Sequence, residues 1–156
     1  MEDSRQTPAE IADKCGFSRQ KAWRIMNKLE ESNRIWGYTT VVDEETAGGK
    51  TYFALIKSKE PFSGVIEKLI KRTKGGKAKA EVGVNLMGIH YVNGTYNGIV
   101  VFFAKNIMYA KQLCGYIQQH YETHVERIEL LEEVFPLIKF GKINPNIEQL
   151  KEFAIE

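Results

Sequence analysis

The chain is short of the residues that would staple it or anchor it. Its 156 residues hold two cysteines, Cys15 and Cys114, with no paired spacing between them, which excludes a disulfide framework and a cysteine-based zinc site. Long apolar runs are missing too. The longest, Ile99-Val100-Val101-Phe102-Phe103-Ala104, is about a third of the roughly 20 residues a membrane-spanning helix needs. The opening residues Met1-Glu2-Asp3-Ser4-Arg5-Gln6 are acidic and polar, unlike a signal peptide, so a cytoplasmic protein with no membrane association is expected. Asn93-Gly94-Thr95 is formally a glycosylation sequon, and without a secretion signal it reads as a turn. Nor does one sign of charge dominate: the net charge is +2, with 43% apolar and 27% charged residues, which excludes the composition of a disordered chain. The length suits one ordinary domain or two small ones.

What the chain does have is charge sorted along its length. From Lys14 to Lys28 there are five cations and no acid, and from Lys68 to Lys79 six cations and no acid. Val125 to Glu156 carries four cations against seven acids. A basic run is commonly a solvated face, so each island depends on its structural context. The second falls at a helix C-terminus, where cations complement the macrodipole, with contact to phosphates as the alternative.

The first island sits in a helix–turn–helix pattern. Thr7-Pro8-Ala9-Glu10 is a capping box with Pro at the first helical position. That helix stops at Cys15-Gly16, where Gly tolerates the left-handed conformation. Ser18 opens a second helix whose apolar residues Ala22, Ile25, Met26 and Leu29 fall at i, i+3, i+4 and i+7, ending near Asn33 as a left-handed cap. Ile35 to Val42 then reads as a β segment. A recognition helix enters the major groove N-terminus first, so its early turns need long donors. Ser18, Arg19, Gln20 and Lys21 open this one. Arg19, Gln20 and Lys21 are the base-edge candidates, since Arg grips guanine and Gln adenine in two-pronged fashion. Arg24, Lys28 and Lys14 suit phosphates. The alternative is an ordinary αα-hairpin with a hydrated outer face.

Ile11-Ala12, Gly16-Phe17-Ser18, Arg24-Ile25, Lys28-Leu29-Glu30-Glu31-Ser32, Ile35-Trp36-Gly37-Tyr38 and Asp43 together resemble the DNA-binding domain of the Lrp/AsnC family of prokaryotic transcription regulators. The resemblance implies a winged helix-turn-helix, a hinge at Gly48-Gly49 and an amino-acid-sensing domain. Members of that family carry a further amphipathic helix before the Ile-Ala helix, and here only Met1 to Gln6 precede it. Either the natural start lies upstream, or another element covers the exposed face. The tail, with Ile147, Leu150 and Ala154 on one helical stripe and Phe153 beside it, is the candidate cover.

Residues 51–141 read as β-α-β, then β-α-β. The strands are 51–57, 84–91, 99–104 and 125–131, with an edge piece near Pro136. Pro61 and Ser63 open one helix, with Val65, Ile66, Leu69 and Ile70 on one face. Asn106 caps the other, with Ala110, Leu113, Cys114 and Ile117 inward. This βαββαβ order is ferredoxin-like, an antiparallel sheet with both helices on one face and the other face seeking a partner. The fold class expected is α+β: a shortened N-terminal winged helix-turn-helix (1–50), a ferredoxin-like effector-binding and dimerisation domain (51–141) and a helical tail (142–156).

Gly94-Thr95-Tyr96-Asn97-Gly98-Ile99-Val100-Val101 is similar to the Gly-x-Tyr-Asp turn and strand of the family's sensing (RAM) domain. By that resemblance Gly94, Tyr96 and Asn97, with Tyr91 and Asn93 nearby, belong to a small-ligand site for an amino acid; a plain hairpin turn is the alternative. Asn97 replaces the family's acidic residue, which changes affinity or ligand identity if that carboxylate meets an ammonium. No cofactor, metal or catalytic residue is expected. His120 and His124 are spaced i, i+4, but Glu122 is one place late for a zinc-protease motif, and Lys74-Gly75-Gly76-Lys77 is no P-loop. The partners expected are double-stranded DNA and further copies of the chain, as a homodimer or a larger even-numbered assembly. Two-fold symmetry calls for half-sites about one turn, roughly 34 Å, or a multiple apart. Two other classes stay open: a ligand sensor that no longer binds DNA, and an enzyme resembling siroheme decarboxylases, for which the chain offers only His90-Tyr91 and no adjacent arginine.

Overall fold

A computed structural model of the chain describes residues 5–44, 46–59, 63–74 and 83–153. Pro61, Gly75, Gly76, Lys77, Lys79 and Ala154, used in the sequence reading, lie outside them. The chain divides into two compact units, Met1–Val42 with Ile138–Pro145, and Asp43–Leu137 with Asn146–Glu156.

In the first unit, local chemistry sets both helices. Helix α1 (Pro8–Cys15) starts from the full capping box: Thr7 Oγ1 accepts from the Glu10 amide at 3.3 Å, and the Glu10 carboxylate accepts from the Thr7 amide at 2.6 Å. It ends at Gly16 with φ 65°, a left-handed residue without a Cβ to strain it. Helix α2 (Arg19–Glu31) is capped by Ser18, whose hydroxyl accepts from the Lys21 amide, and Asn33 beyond it takes φ 55°. The two helices meet over Ala12 and Ala22, each 2% exposed. Ile25 does not join them and stays exposed, while Met26 and Leu29 are partly covered.

The β segment expected over Ile35–Val42 does not form: these residues make no strand, and Trp36 is 95% exposed. β propensity is realised only where a neighbouring strand supplies hydrogen bonds, and no described strand pairs with this stretch. Strands β5 (Ile138–Lys139) and β6 (Lys142–Ile143, after β1–β4 below) form a hairpin on a two-residue turn. Phe140 (φ 49°) and Gly141 (φ 76°) both take the positive φ that such turns require.

The second unit holds β1 (Lys50–Ser58), α3 (Ser63–Lys74), β2 (Val84–Tyr91), β3 (Gly98–Ala104), α4 (Ile107–His120) and β4 (Val125–Glu132). The sheet order is β2-β3-β1-β4, with every neighbouring pair antiparallel. This is the ferredoxin-like arrangement expected of an α+β chain. Alternation along β1 and β3 sends Tyr52, Ala54, Ile56, Val100, Phe102 and Ala104 into the core beneath the helices. The opposite face carries Phe53, Leu55, Ile99 and Val101, all partly covered, and Leu131, which is exposed. Helix α4 turns Ala110, Leu113, Cys114 and Ile117 onto the core as expected, with Asn106 capping the amides of Met108 and Tyr109. On α3 only Val65 and Leu69 pack inward; Ile66 and Ile70 are exposed.

Three expectations need correction. Residues 133–137 form no strand, although the Glu133 amide adds one more bond to Thr51 of β1. The tail is a 3₁₀ helix, Ile147–Phe153, not an α-helical stripe. With three residues per turn, Ile147, Leu150 and Phe153 share a side, and the Phe153 ring lies 5.5 Å from that of Phe135. Finally, the residues grouped with the N-terminal helices are Ile138–Pro145, whereas the segment from Asn146 groups with the sheet.

Candidate nucleic-acid interface and effector loop

Helix α2 turns its residues by about 100° per position, so the face opposite Ala22, Met26 and Leu29 carries Gln20, Arg24 and Lys28. Lys21 flanks that stripe on one side, with Trp23 and Asn27 on the other. Arg19 lies at the first turn and Lys14 on α1, and all of these cations are exposed. Among the described residues none of Lys14, Arg19, Lys21, Arg24 and Lys28 pairs with a carboxylate. Their donors therefore remain free for an external acceptor. Lys21 Nζ sits 4.0 Å from the centre of the Phe17 ring, which holds its stem over the turn between the helices. Ser18 is committed to its cap, so its hydroxyl serves the helix start first. Arg34, beyond α2, and Trp23, 54% exposed on the outer face, are absent from the sequence-derived set. Trp23 lies three residues beyond Gln20, and the helical wheel alone places it there.

The residues of the expected effector loop diverge. β2 and β3 are joined by Val92–Asn97, closed by a bond from the Val92 amide to the Asn97 carbonyl at 3.0 Å. Neither Asn93 nor Gly94 takes positive φ, so Asn93-Gly94 is not the tight hairpin turn that its sequence suggests. Asn93 and Gly94 are exposed at the tip, and Tyr91 is 67% exposed at the end of β2. Tyr96 turns toward β4: its hydroxyl donates to Glu129 and accepts from Arg127 at 2.8 Å, and Arg127 bonds Glu129 at 2.7 Å. The Tyr96 hydroxyl, and after it Arg127, holds the Glu129 carboxyl below the usual carboxylate range. The Glu129 carboxylate therefore keeps these bonds above the ordinary carboxylate pKa and loses them only as pH falls through the lowered one.

Asn97 turns the other way. Its side-chain oxygen accepts from the Ser58 amide at 3.0 Å and from the Ser58 hydroxyl at 2.7 Å, while its own amide donates to Ile56. Here the carboxamide fastens the loop to the end of β1. The two histidines of the 120–124 segment also diverge. His120 stacks on Tyr116, with ring centres 3.8 Å apart, and His124 contacts Thr123 at 2.7 Å. Among the described residues no three His, Cys, Asp or Glu side chains are grouped to hold a metal ion, and no helix is long and apolar enough to cross a membrane.

Residues 1–35 match a family model described as winged helix-turn-helix DNA-binding. No curated protein matches the chain. Among solved structures, PH0061 is similar at 27% identity, over 91% of this chain and 89% of that one, with a TM-score of 0.70. An AsnC family transcriptional regulator from Agrobacterium tumefaciens is 15% identical over 92% of this chain and 88% of its own, with a TM-score of 0.65. A feast or famine regulatory protein from M. tuberculosis, complexed with L-methionine, is 17% identical over 92% and 90%, with a TM-score of 0.66.

The clamp on Ser58 makes a testable distinction. Asn97→Ala strands the half-buried Ser58 amide and is expected to cost about 1–3 kcal/mol in urea denaturation. Asn97→Asp keeps an acceptor in place and should stay near wild type.

Proposed function

We propose that this chain, which has the fold of the Lrp/AsnC regulators over nearly its whole length, is a sequence-specific DNA-binding transcription regulator that works as a dimer or larger even-numbered assembly and answers to a small effector. The family likeness read from the sequence is borne out by that fold and by the winged helix-turn-helix match at the N-terminus. The observation that carries the proposal is the outer face of α2, where exposed cations without carboxylate partners surround Gln20. In this reading Arg19, Gln20 and Lys21 meet base edges, while Lys14, Arg24 and Lys28 meet phosphates. Trp23, at the flank of that face, supplies an apolar contact of the kind that suits a thymine methyl.

Assembly is supported by the sheet face opposite the helices. Phe53, Leu55, Ile99, Val101 and Leu131 present there an apolar surface that a second copy would cover. The effector reading rests on the Tyr91–Asn97 region, with an amino acid as the ligand class because a similar fold is known in complex with L-methionine. Tyr96, Arg127 and Glu129 would supply its charged and hydroxyl groups. A cytoplasmic location goes with this function.

Fluorescence anisotropy on the duplex upstream of the protein's own coding sequence, against a scrambled duplex and across a salt series, tests the DNA reading. A preference for the first duplex and a steep fall of log affinity with log salt are expected. Lys28→Ala should weaken both duplexes alike and flatten the slope by about one, whereas Arg19→Ala should cost about 1–3 kcal/mol on the preferred duplex only. Equal, weak binding to both duplexes would refute the proposal. In sedimentation equilibrium, Val101→Glu should shift the assembly toward monomer; an unchanged mass would remove the sheet face from the interface.

A further inference from the structure

Within the second unit, the helices and the sheet border a partly open cavity of about 300 Å³. That volume falls at the lower end of the range of small-ligand pockets. Leu86 and Val100 of the sheet, Leu69 of α3 and Leu113 and Ile117 of α4 give it an apolar body. Its polar end is built from both helices. Arg72, one turn after Leu69, donates to the hydroxyl of Tyr116, and its guanidinium carbon lies 4.7 Å from the centre of the Tyr116 ring. Gln112 stands one turn before Tyr116 on α4 and also lines the cavity.

The charge balance of this cavity is one-sided. Among the described residues, no aspartate or glutamate lines it and no carboxylate pairs with Arg72. A guanidinium presents five donors in a planar fork; the hydroxyls of Tyr116 and Tyr121 interact with it and leave the remaining donors over. Lys71 and Lys74 on the same last turn of α3 add positive potential. Such a site rewards a carboxylate attached to an apolar body. Among the described residues it offers an ammonium only neutral acceptors, such as Gln112 and Thr73, and no carboxylate.

We propose that this cavity is a second small-molecule site, separate from the Tyr96–Arg127–Glu129 cluster, which binds an apolar monocarboxylate lacking an α-amino group, with its carboxylate on Arg72 and Tyr116. The volume holds about ten water volumes, which suits an arylalkanoic or medium-chain acid. Of the effector-loop residues only Tyr91 also lines the cavity, so the reading of Tyr96 and Asn97 and the DNA reading of α2 stand or fall without it.

Three probes of nearly one shape isolate the charge requirement in calorimetric titration of the full chain: 3-phenylpropionate, 3-phenylpropan-1-ol and L-phenylalanine. Saturable binding of 3-phenylpropionate is expected, with the alcohol and the amino acid each weaker by about tenfold or more. Arg72→Gln should lower the affinity for 3-phenylpropionate by a similar factor and leave the alcohol unchanged, with an unaltered circular dichroism spectrum as the check on folding. Leu113→Trp, which fills the cavity, should abolish binding of the acid and alcohol alike. Absence of saturable binding, equal binding of acid and alcohol, preference for L-phenylalanine, or binding indifferent to Arg72→Gln would each overturn the proposal.

Discussion

Strand β1 is hydrogen-bonded along both edges, to β3 from Lys50 to Ile56 and to β4 from Tyr52 to Ser58. Because its side chains alternate between faces, that one strand fixes what lies on each side of the sheet. Tyr52, Ala54 and Ile56 anchor the layer beneath α3 and α4, and Phe53 and Leu55 look the other way. A slip of one residue would exchange the two faces. The end of β1 also positions the β2–β3 loop, because Ser58 is the group that Asn97 holds. The cavity, the effector loop and the open apolar face thus share one register.

The N-terminal unit relies on different physics. Its two helices bury little beyond Ala12 and Ala22, and small residues at the crossing let the helix axes approach closely. The helices are held in length by their ends: the Thr7–Glu10 box, left-handed Gly16, and the Ser18 cap. With so little surface turned inward, almost every charged side chain of α2 is left on the outside. The partial positive charge of the helix start adds to the charges of Arg19 and Lys21 in the first turn, which favours a phosphate-rich partner.

Legibility in the sequence followed the range of the interactions. Caps and turns are decided within four residues, so α1, α2 and the cap of α4 could be read from Thr7, Gly16, Ser18 and Asn106. The βαββαβ order followed from alternation and spacing. Ile35–Val42 could not be read, because a strand needs a partner that lies elsewhere in the chain. The β5–β6 hairpin escaped because its turn puts a bulky Phe140 at positive φ, where Asn or Asp would be the usual signal. At the candidate sites, the charges of α2 were visible as a run without acids. The bonds of Arg72 to Tyr116, Asn97 to Ser58 and Tyr96 to Glu129 join residues 44, 39 and 33 apart, and no local pattern encodes them.

That DNA docks on the outer face of α2 is most directly tested by the environment of Trp23, which is exposed at the flank of that face beside Gln20. In a Trp36→Phe background, Trp23 is the sole indole, and its quenching by acrylamide reports solvent access. Docking through α2 requires that a saturating cognate duplex shield Trp23 and that Arg24→Ala weaken the shielding in step with affinity. Bound duplex that leaves Trp23 as accessible as in the free protein would place the DNA elsewhere and contradict the central assignment.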